Sequence, residues 1–282
     1  MKKCGHRFSS SGGKDVLGTI WNARALRITV AWLGLLLMIG SFAWLQWTSK
    51  PNAPTSTRAP APHEPFTVVV LDPGHGGQDS GAKVGDMLEK DLTLDVAHRV
   101  DRLLQAQGLT TVMTRVGDAY VSLAERAALT NRVPNCVFVS IHFNEDNKPV
   151  ASGVETYYAA HQVTPGLSVA SWFPFLWRAI SASSNVESQS LAGFVQEGLA
   201  ARTQAVNRGT KAEQFFVIAN VRHPAVLVEG GFLTNKEDMA KLASDDYREQ
   251  MAAAIGEGII RYRDLLKEHQ ATLAGTAPEG AE

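Results

Sequence analysis

Two histidines and two glutamates in this chain lie where apolar runs end, or in the loop that follows one. Val68-Val69-Val70-Leu71 leads into Asp72-Pro73-Gly74-His75-Gly76-Gly77. Val137-Phe138-Val139-Ser140-Ile141 leads into His142-Phe143-Asn144, and Ala225-Val226-Leu227-Val228 into Glu229-Gly230-Gly231. Glu89, in Leu88-Glu89-Lys90-Asp91, falls between the first run and the first helical pattern. A catalytic zinc site takes three N or O ligands and keeps a fourth position for water, and two histidines with one glutamate form such a set. A further carboxylate can act as general base, because metal-acidified water needs only a positioned acceptor. Each residue alone has a plainer reading. Glu89 suits a helix N-terminus, Glu229 an acid preceding a helix, His142 a satisfied core position and His75 an ordinary turn. Their joint placement points to metal-assisted hydrolysis. The rival chemistries fail on spacing: Gly74, Gly76, Gly77 and Gly81 do not form G-x-G-x-x-G, and no Gly-Lys-Ser/Thr follows them. No G-x-S-x-G marks a serine hydrolase.

The elements that must position these groups alternate along the chain. Strands are predicted at Thr67–Leu71, Thr110–Thr114, Val137–Ile141, Val154–Tyr158, Phe215–Ile218 and Ala225–Val228, as short branched or aromatic runs. Helices are predicted at Asp91–Gln107, Ser122–Asn131, Ser188–Val206, Lys236–Leu242 and Asp246–Leu266. In the first of them Leu92, Val96, Val100, Leu103 and Leu104 share one face. This alternation implies an α/β domain with a largely parallel sheet and helices on both faces. Ligands in such a fold gather beyond the carboxyl ends of the strands, which is where the two histidines and Glu229 are expected.

The 282-residue composition is that of an ordinary globular protein, and a net charge of -1 gives no support to a nucleic-acid partner. Cys4 and Cys136 cannot build a disulfide framework, and Cys136 reads as a small buried residue. Residues 1–27 are polar and basic; residues 28–47, ITVAWLGLLLMIGSFAWLQW, carry no charge over the length of a bilayer crossing. The flanking Lys and Arg put the N-terminus in the cytoplasm and the remainder outside. Whether residues 28–47 stay as an anchor or are removed at Ser41-Phe42-Ala43 is open, and both readings give an extracytoplasmic domain. Residues 48–65 read as an extended Pro/Ser/Thr/Ala-rich tether, residues 66–267 as the catalytic domain and residues 268–282 as a loose tail.

The chain resembles the zinc-dependent N-acetylmuramoyl-L-alanine amidases of the amidase-3 family. The resemblance rests on LDPGHGGQDSGA, LEKDLTLDVA, TRVGDAYVSLAERAALTN, VFVSIHFN, GVETYY, RGTKAEQFFVI and PAVLVEGGFLTN, in the family's order. It implies a mixed sheet of about six strands, one zinc ion held by His75, Glu89 and His142, and Glu229 as catalytic acid/base. The implied reaction is hydrolysis of the amide between N-acetylmuramic acid and L-alanine of the peptidoglycan stem peptide. A zinc peptidase acting within that peptide and a non-catalytic wall-binding module are the alternatives. Asn144 and Arg115 are candidate substrate contacts, with loop organisation as the other reading of Arg115 and of Arg126; Glu155 reads as structural. Phe143 stands where relatives often have alanine and is expected to narrow the surroundings of the metal. The segment with Trp172, Phe173, Phe175 and Trp177 occupies the place of an autoinhibitory insertion in some relatives. It has no Asp or Glu from His161 through Val186 to reach a metal. Peptidoglycan, a membrane contacted through residues 28–47 and a protein activator are the partners this reading allows.

Overall fold

The computed structural model describes residues 32–38, 40–41, 65–147, 150–162 and 185–275. The chain divides into two units, Met1–Ala59 and Pro60–Glu282. In the first unit residues 32–38 and 40–41 are helical and exposed. The rest of the expected 28–47 span lies outside the described residues, as does the tether as far as residue 64. No helix among the described residues is long and apolar enough to cross a membrane.

The second unit contains β1 (Val68–Pro73), the small strands β2 (Lys83–Val84) and β3 (Met87–Leu88), α1 (Glu89–Ala106), β4 (Thr110–Met113) and α2 (Leu123–Thr130). It continues with β5 (Cys136–Asn144), β6 (Val154–Tyr158), α3 (Val186–Thr203), β7 (Asn207–Ala212), α4 (Phe216–Ala219), β8 (Ala225–Phe232), α5 (Lys236–Leu242) and α6 (Asp245–Gly275). Six strands form one sheet in the order β4-β1-β5-β8-β6-β7. All neighbours are parallel except β6, which runs antiparallel to β8. The expected α/β fold with a mixed, largely parallel sheet is therefore present.

The strand pattern sets which helix covers which face. Val69, Leu71, Val137, Val139, Ile141, Val226 and Val228 point to one side, against Val96 and Val100 of α1, Leu191 and Val195 of α3, and Ile255 and Ile259 of α6. The alternate residues Val70, Phe138 and Leu227 meet Ala127 of α2 and Val217 and Ile218 of α4. Cys136 is buried on this second side. Ser122 and Glu125 form a reciprocal capping box that fixes the start of α2.

Two expectations need correction. Phe215–Ile218 is not a strand; Phe216–Ala219 is a single helical turn burying Val217, Ile218 and Ala219. A four-residue apolar run carries no periodicity to separate the two. The strand at the sheet edge is Asn207–Ala212 instead, a polar, half-exposed run that lacks apolar alternation. Finally, the last helix runs past the expected domain end at Lys267, because Lys267 to Ala274 contains no Gly or Pro to stop it. The Trp172–Trp177 segment lies outside the described residues.

Candidate metal centre

β1 ends in Asp72-Pro73, and the next two residues turn sharply. His75 adopts φ 59°, the left-handed region, which costs a side-chain-bearing residue about 1–2 kcal/mol. Two buried arginines hold this turn by its carbonyls. Arg115 donates from Nε to Pro73 O (3.0 Å) and from Nη2 to Gly74 O (2.7 Å). Arg126 donates to Pro73 O and to His75 O, each at 2.6 Å. Arg126 also pairs with the buried Asp72 carboxylate at 2.6 Å, and Thr114 and Ser140 hydroxyls donate to the same carboxylate. Truncating one member of such a pair strands a buried charge. R126A is therefore expected to lower unfolding stability by about 3–5 kcal/mol in urea titration.

The turn delivers His75 to Glu89, the first residue of α1, and β5 delivers His142 to the same carboxylate. His75 Nε2 and His142 Nδ1 each stand 3.0 Å from Glu89 Oε1. The imidazole rings meet edge to face, 4.9 Å between centroids. One ligand atom from each of the three residues lies within 4.8 Å of the others, as metal binding requires. The fit leaves no room for larger neighbours. A Cβ on Gly74 would lie 2.3 Å from the His142 ring, and one on Gly81, at φ +62°, 2.4 Å from Glu89 Oε2. The Ala82 amide donates to Glu89 Oε2 and the Phe143 amide to Oε1, which aims the carboxylate.

Asp79 completes this arrangement and was not apparent from the sequence. Its Oδ2 stands 2.9 Å from His75 Nδ1, so that with a metal bound this carboxylate would hold the Nδ1 proton and leave Nε2 to the ion. The only signal available was the spacing of four residues, His75 to Asp79. Burial alone would lower the His75 pKa, but Glu89 and Asp79 outweigh it and raise the pKa above its ordinary value. Burial opposes ionisation of Glu89 as well; hydrogen bonds from His142 and His75 overcome it and keep this carboxyl well below the usual range.

Glu229 pairs across the sheet with His142 on one side and Glu155 on the other. Residues paired in this way share a face, so the two carboxylates follow the histidine in one row. Glu229 Oε2 is buried and has no hydrogen-bond partner. Burial, with Glu89 and Glu155 as like charges, raises its pKa well above the ordinary carboxylate value. A carboxyl with one buried, orphaned oxygen beside three metal-capable groups is poised to take and return a proton. It does not precede a helix; it lies within β8.

Glu155 is structural in the sense expected, yet part of the same row. Asn144 Nδ2 (2.7 Å) and Tyr157 OH (2.6 Å) donate to Oε1, and Arg208 Nε (2.7 Å) and Lys211 to Oε2. Asn144 thus braces Glu155. Arg115, a candidate substrate contact, is buried with its guanidinium spent on the loop carbonyls and on Thr93, so its role is loop organisation. Phe143 does not narrow the metal surroundings. Its ring lies on the opposite face, buried over Gly230, because neighbouring strand residues alternate sides.

Comparison with known proteins points the same way. The family profile described as N-acetylmuramoyl-L-alanine amidase (amidase-3) matches residues 69–261. The N-acetylmuramoyl-L-alanine amidase LytC of Bacillus subtilis is 35% identical over 194 residues, covering 69% of this chain. That match spans only 35% of the length of LytC. A crystal structure of N-acetylmuramoyl-L-alanine amidase from Clostridium difficile superposes with TM-score 0.61 at 32% identity, covering 71% of this chain and 98% of its own. The CwlD amidase of Clostridioides difficile, solved in complex with the GerS lipoprotein, gives TM-score 0.60 at 25% identity over 71% of this chain and 99% of CwlD.

Proposed function

Since the chain belongs to the N-acetylmuramoyl-L-alanine amidase family, we propose that it hydrolyses the amide joining N-acetylmuramic acid to L-alanine of peptidoglycan stem peptides. The observation that carries this reading is the juxtaposition of the His75, Glu89 and His142 ligand atoms with Glu229, whose buried Oε2 has no partner. His75, Glu89 and His142 would hold a single zinc ion, whose N/O donor preference they match. Zinc, when bound, supplies a Lewis acid that polarises the scissile carbonyl and acidifies water. Glu229 accepts the proton of the attacking water and returns it to the leaving amine of L-alanine. With zinc bound, Asp79 would hold the His75 Nδ1 proton and leave Nε2 to the metal, and Arg115 and Arg126 fix the turn from which His75 projects.

The D79A variant is expected to bind zinc about 10–100-fold more weakly, as loss of a histidine's outer partner usually does. Competition with a chelating indicator measures this directly. An unchanged zinc affinity would mean that Asp79 plays no part in ligation.

The charge asymmetry around residues 28–47 supports an extracytoplasmic site of action, which a wall hydrolase requires. A membrane contact through residues 28–47, if that segment is retained, belongs to the same reading. CwlD was solved in complex with a lipoprotein, and this supports a protein activator for this chain.

The deciding experiment is mass spectrometry of purified sacculi digested with the full chain, with zinc supplied or chelated. Zinc-dependent release of intact stem peptides beginning with L-alanine is the expected result. Cleavage inside the peptides would move the scissile bond. Wall binding without cleavage, with or without zinc, would overturn the enzymatic reading.

A further inference from the structure

The row of charges that starts at the metal centre continues to the sheet edge. In the strand order β5-β8-β6-β7, His142 is followed by Glu229, Glu155 and then Arg208 with Lys211. The β6–β7 register shifts between Val154 and Thr156, and Gly209 takes φ +77°. This bulge brings Arg208 toward Glu155. Two cations therefore share one carboxylate oxygen. The balance at this end of the row is positive.

The two cations are also accessible. Glu155 has only 2% of its side chain exposed, against 32% for Arg208 and 37% for Lys211. Arg208 gives Glu155 only its Nε; its two Nη groups make no hydrogen bond among the described residues. The guanidinium lies over the Phe232 ring, 4.8 Å from its centre, and Lys211 Nζ lies 5.6 Å from the centre of the Tyr157 ring. Both heads are thus held in place before any ligand arrives. An oriented guanidinium with two spare NH₂ groups is shaped for a carboxylate.

The spacing limits what that carboxylate can belong to. Glu155 is two strands from His142, about 10 Å at ordinary strand separation. Extended peptide advances about 3.3–3.6 Å per residue, so the same distance is about three residues.

Resting on the amidase reading above, we propose that Arg208 and Lys211 form an anion subsite for a free carboxylate in the peptide portion of the substrate, within about three residues of the scissile amide. The subsite makes the protein discriminate between acidic stem peptides and the same peptides amidated.

The test is titration of the zinc-loaded full chain with a product peptide, L-alanyl-γ-D-glutamyl-L-lysine, as the free acid and as the fully amidated form, followed by calorimetry or NMR. The free acid is expected to bind about 10- to 100-fold more tightly, the range of a charge-assisted hydrogen bond. R208Q should remove the preference, R208K should restore part of it, and K211Q should reduce it. Equal affinity of the wild-type chain for both peptides would overturn the subsite, as would R208Q weakening both alike. Hydrolysis of the corresponding muramoyl peptide is followed separately. Its absence would count against the amidase activity, while the carboxylate preference would still stand or fall by the titration.

Discussion

The E229Q variant is expected to hydrolyse muramoyl-peptide amides about 10²–10⁴-fold more slowly than the wild-type chain while retaining zinc. Glutamine keeps the shape of glutamate and cannot accept the proton. The loss should fall on kcat, since Glu229 is not among the three residues that meet around Glu89 Oε1. The same variant separates catalysis from folding. Glu229 is half-buried, its enclosed Oε2 lacks a partner and its pKa is raised in the folded, metal-free protein. A group with its folded pKa above its unfolded value favours folding below the unfolded pKa, about 4.3. That contribution disappears as the pH rises through the folded value. Metal-free wild-type protein should therefore lose stability from pH 4 toward neutrality through this group, and E229Q should not. Melting temperatures should converge near pH 4 and favour E229Q at pH 8. Equal pH dependence of the two proteins, or near-normal turnover by E229Q, would remove Glu229 from its assigned role.

Much of this site was legible because its residues follow hydrophobic signals. His142 and Glu229 extend β5 and β8, and buried strands announce themselves as branched apolar runs. His75 lies just beyond the end of β1, and parallel pairing brings all three strand ends to one edge. The burial of the supporting groups was hidden for the opposite reason, although loop organisation is already one sequence reading of Arg115 and Arg126. Arg115, Arg126 and Asp72 look like surface residues in the sequence, yet they are buried because each satisfies backbone or side-chain groups that the turn leaves unpaired. Arg208 and Lys211 lie in a strand with no apolar alternation, at an edge where polarity is tolerated. Phe143 shows the converse error. Adjacency to a metal-capable histidine in sequence means opposite faces in a strand. Its side chain belongs to the core, and only its amide serves Glu89.

Replacement of Glu89 has the largest effect expected of a single ligand change, because this carboxylate does four things at once. Oε1 faces His75 Nε2 and His142 Nδ1 and accepts the Phe143 amide at 3.1 Å; Oε2 accepts the Ala82 amide at 2.9 Å. E89Q removes the charge and turns one acceptor into a donor. Whichever way the new amide is oriented, its N–H₂ confronts either the Ala82 or the Phe143 N–H. Both the metal and the backbone thus lose a partner, and hydrolysis should fall further than in E229Q. Zinc at about 1,000 times its dissociation constant should stabilise the wild-type chain by about 4 kcal/mol, and E89Q should show almost none of this gain. Metal analysis together with melting in zinc and in chelator measures both quantities. E89Q that still binds one zinc per chain with the wild-type stabilisation would show that His75 and His142 hold the ion without it. Loss of zinc in E89Q alongside its retention in E229Q would instead divide the two glutamates as the geometry does, one at the meeting point of the histidines and the other unpartnered beside them.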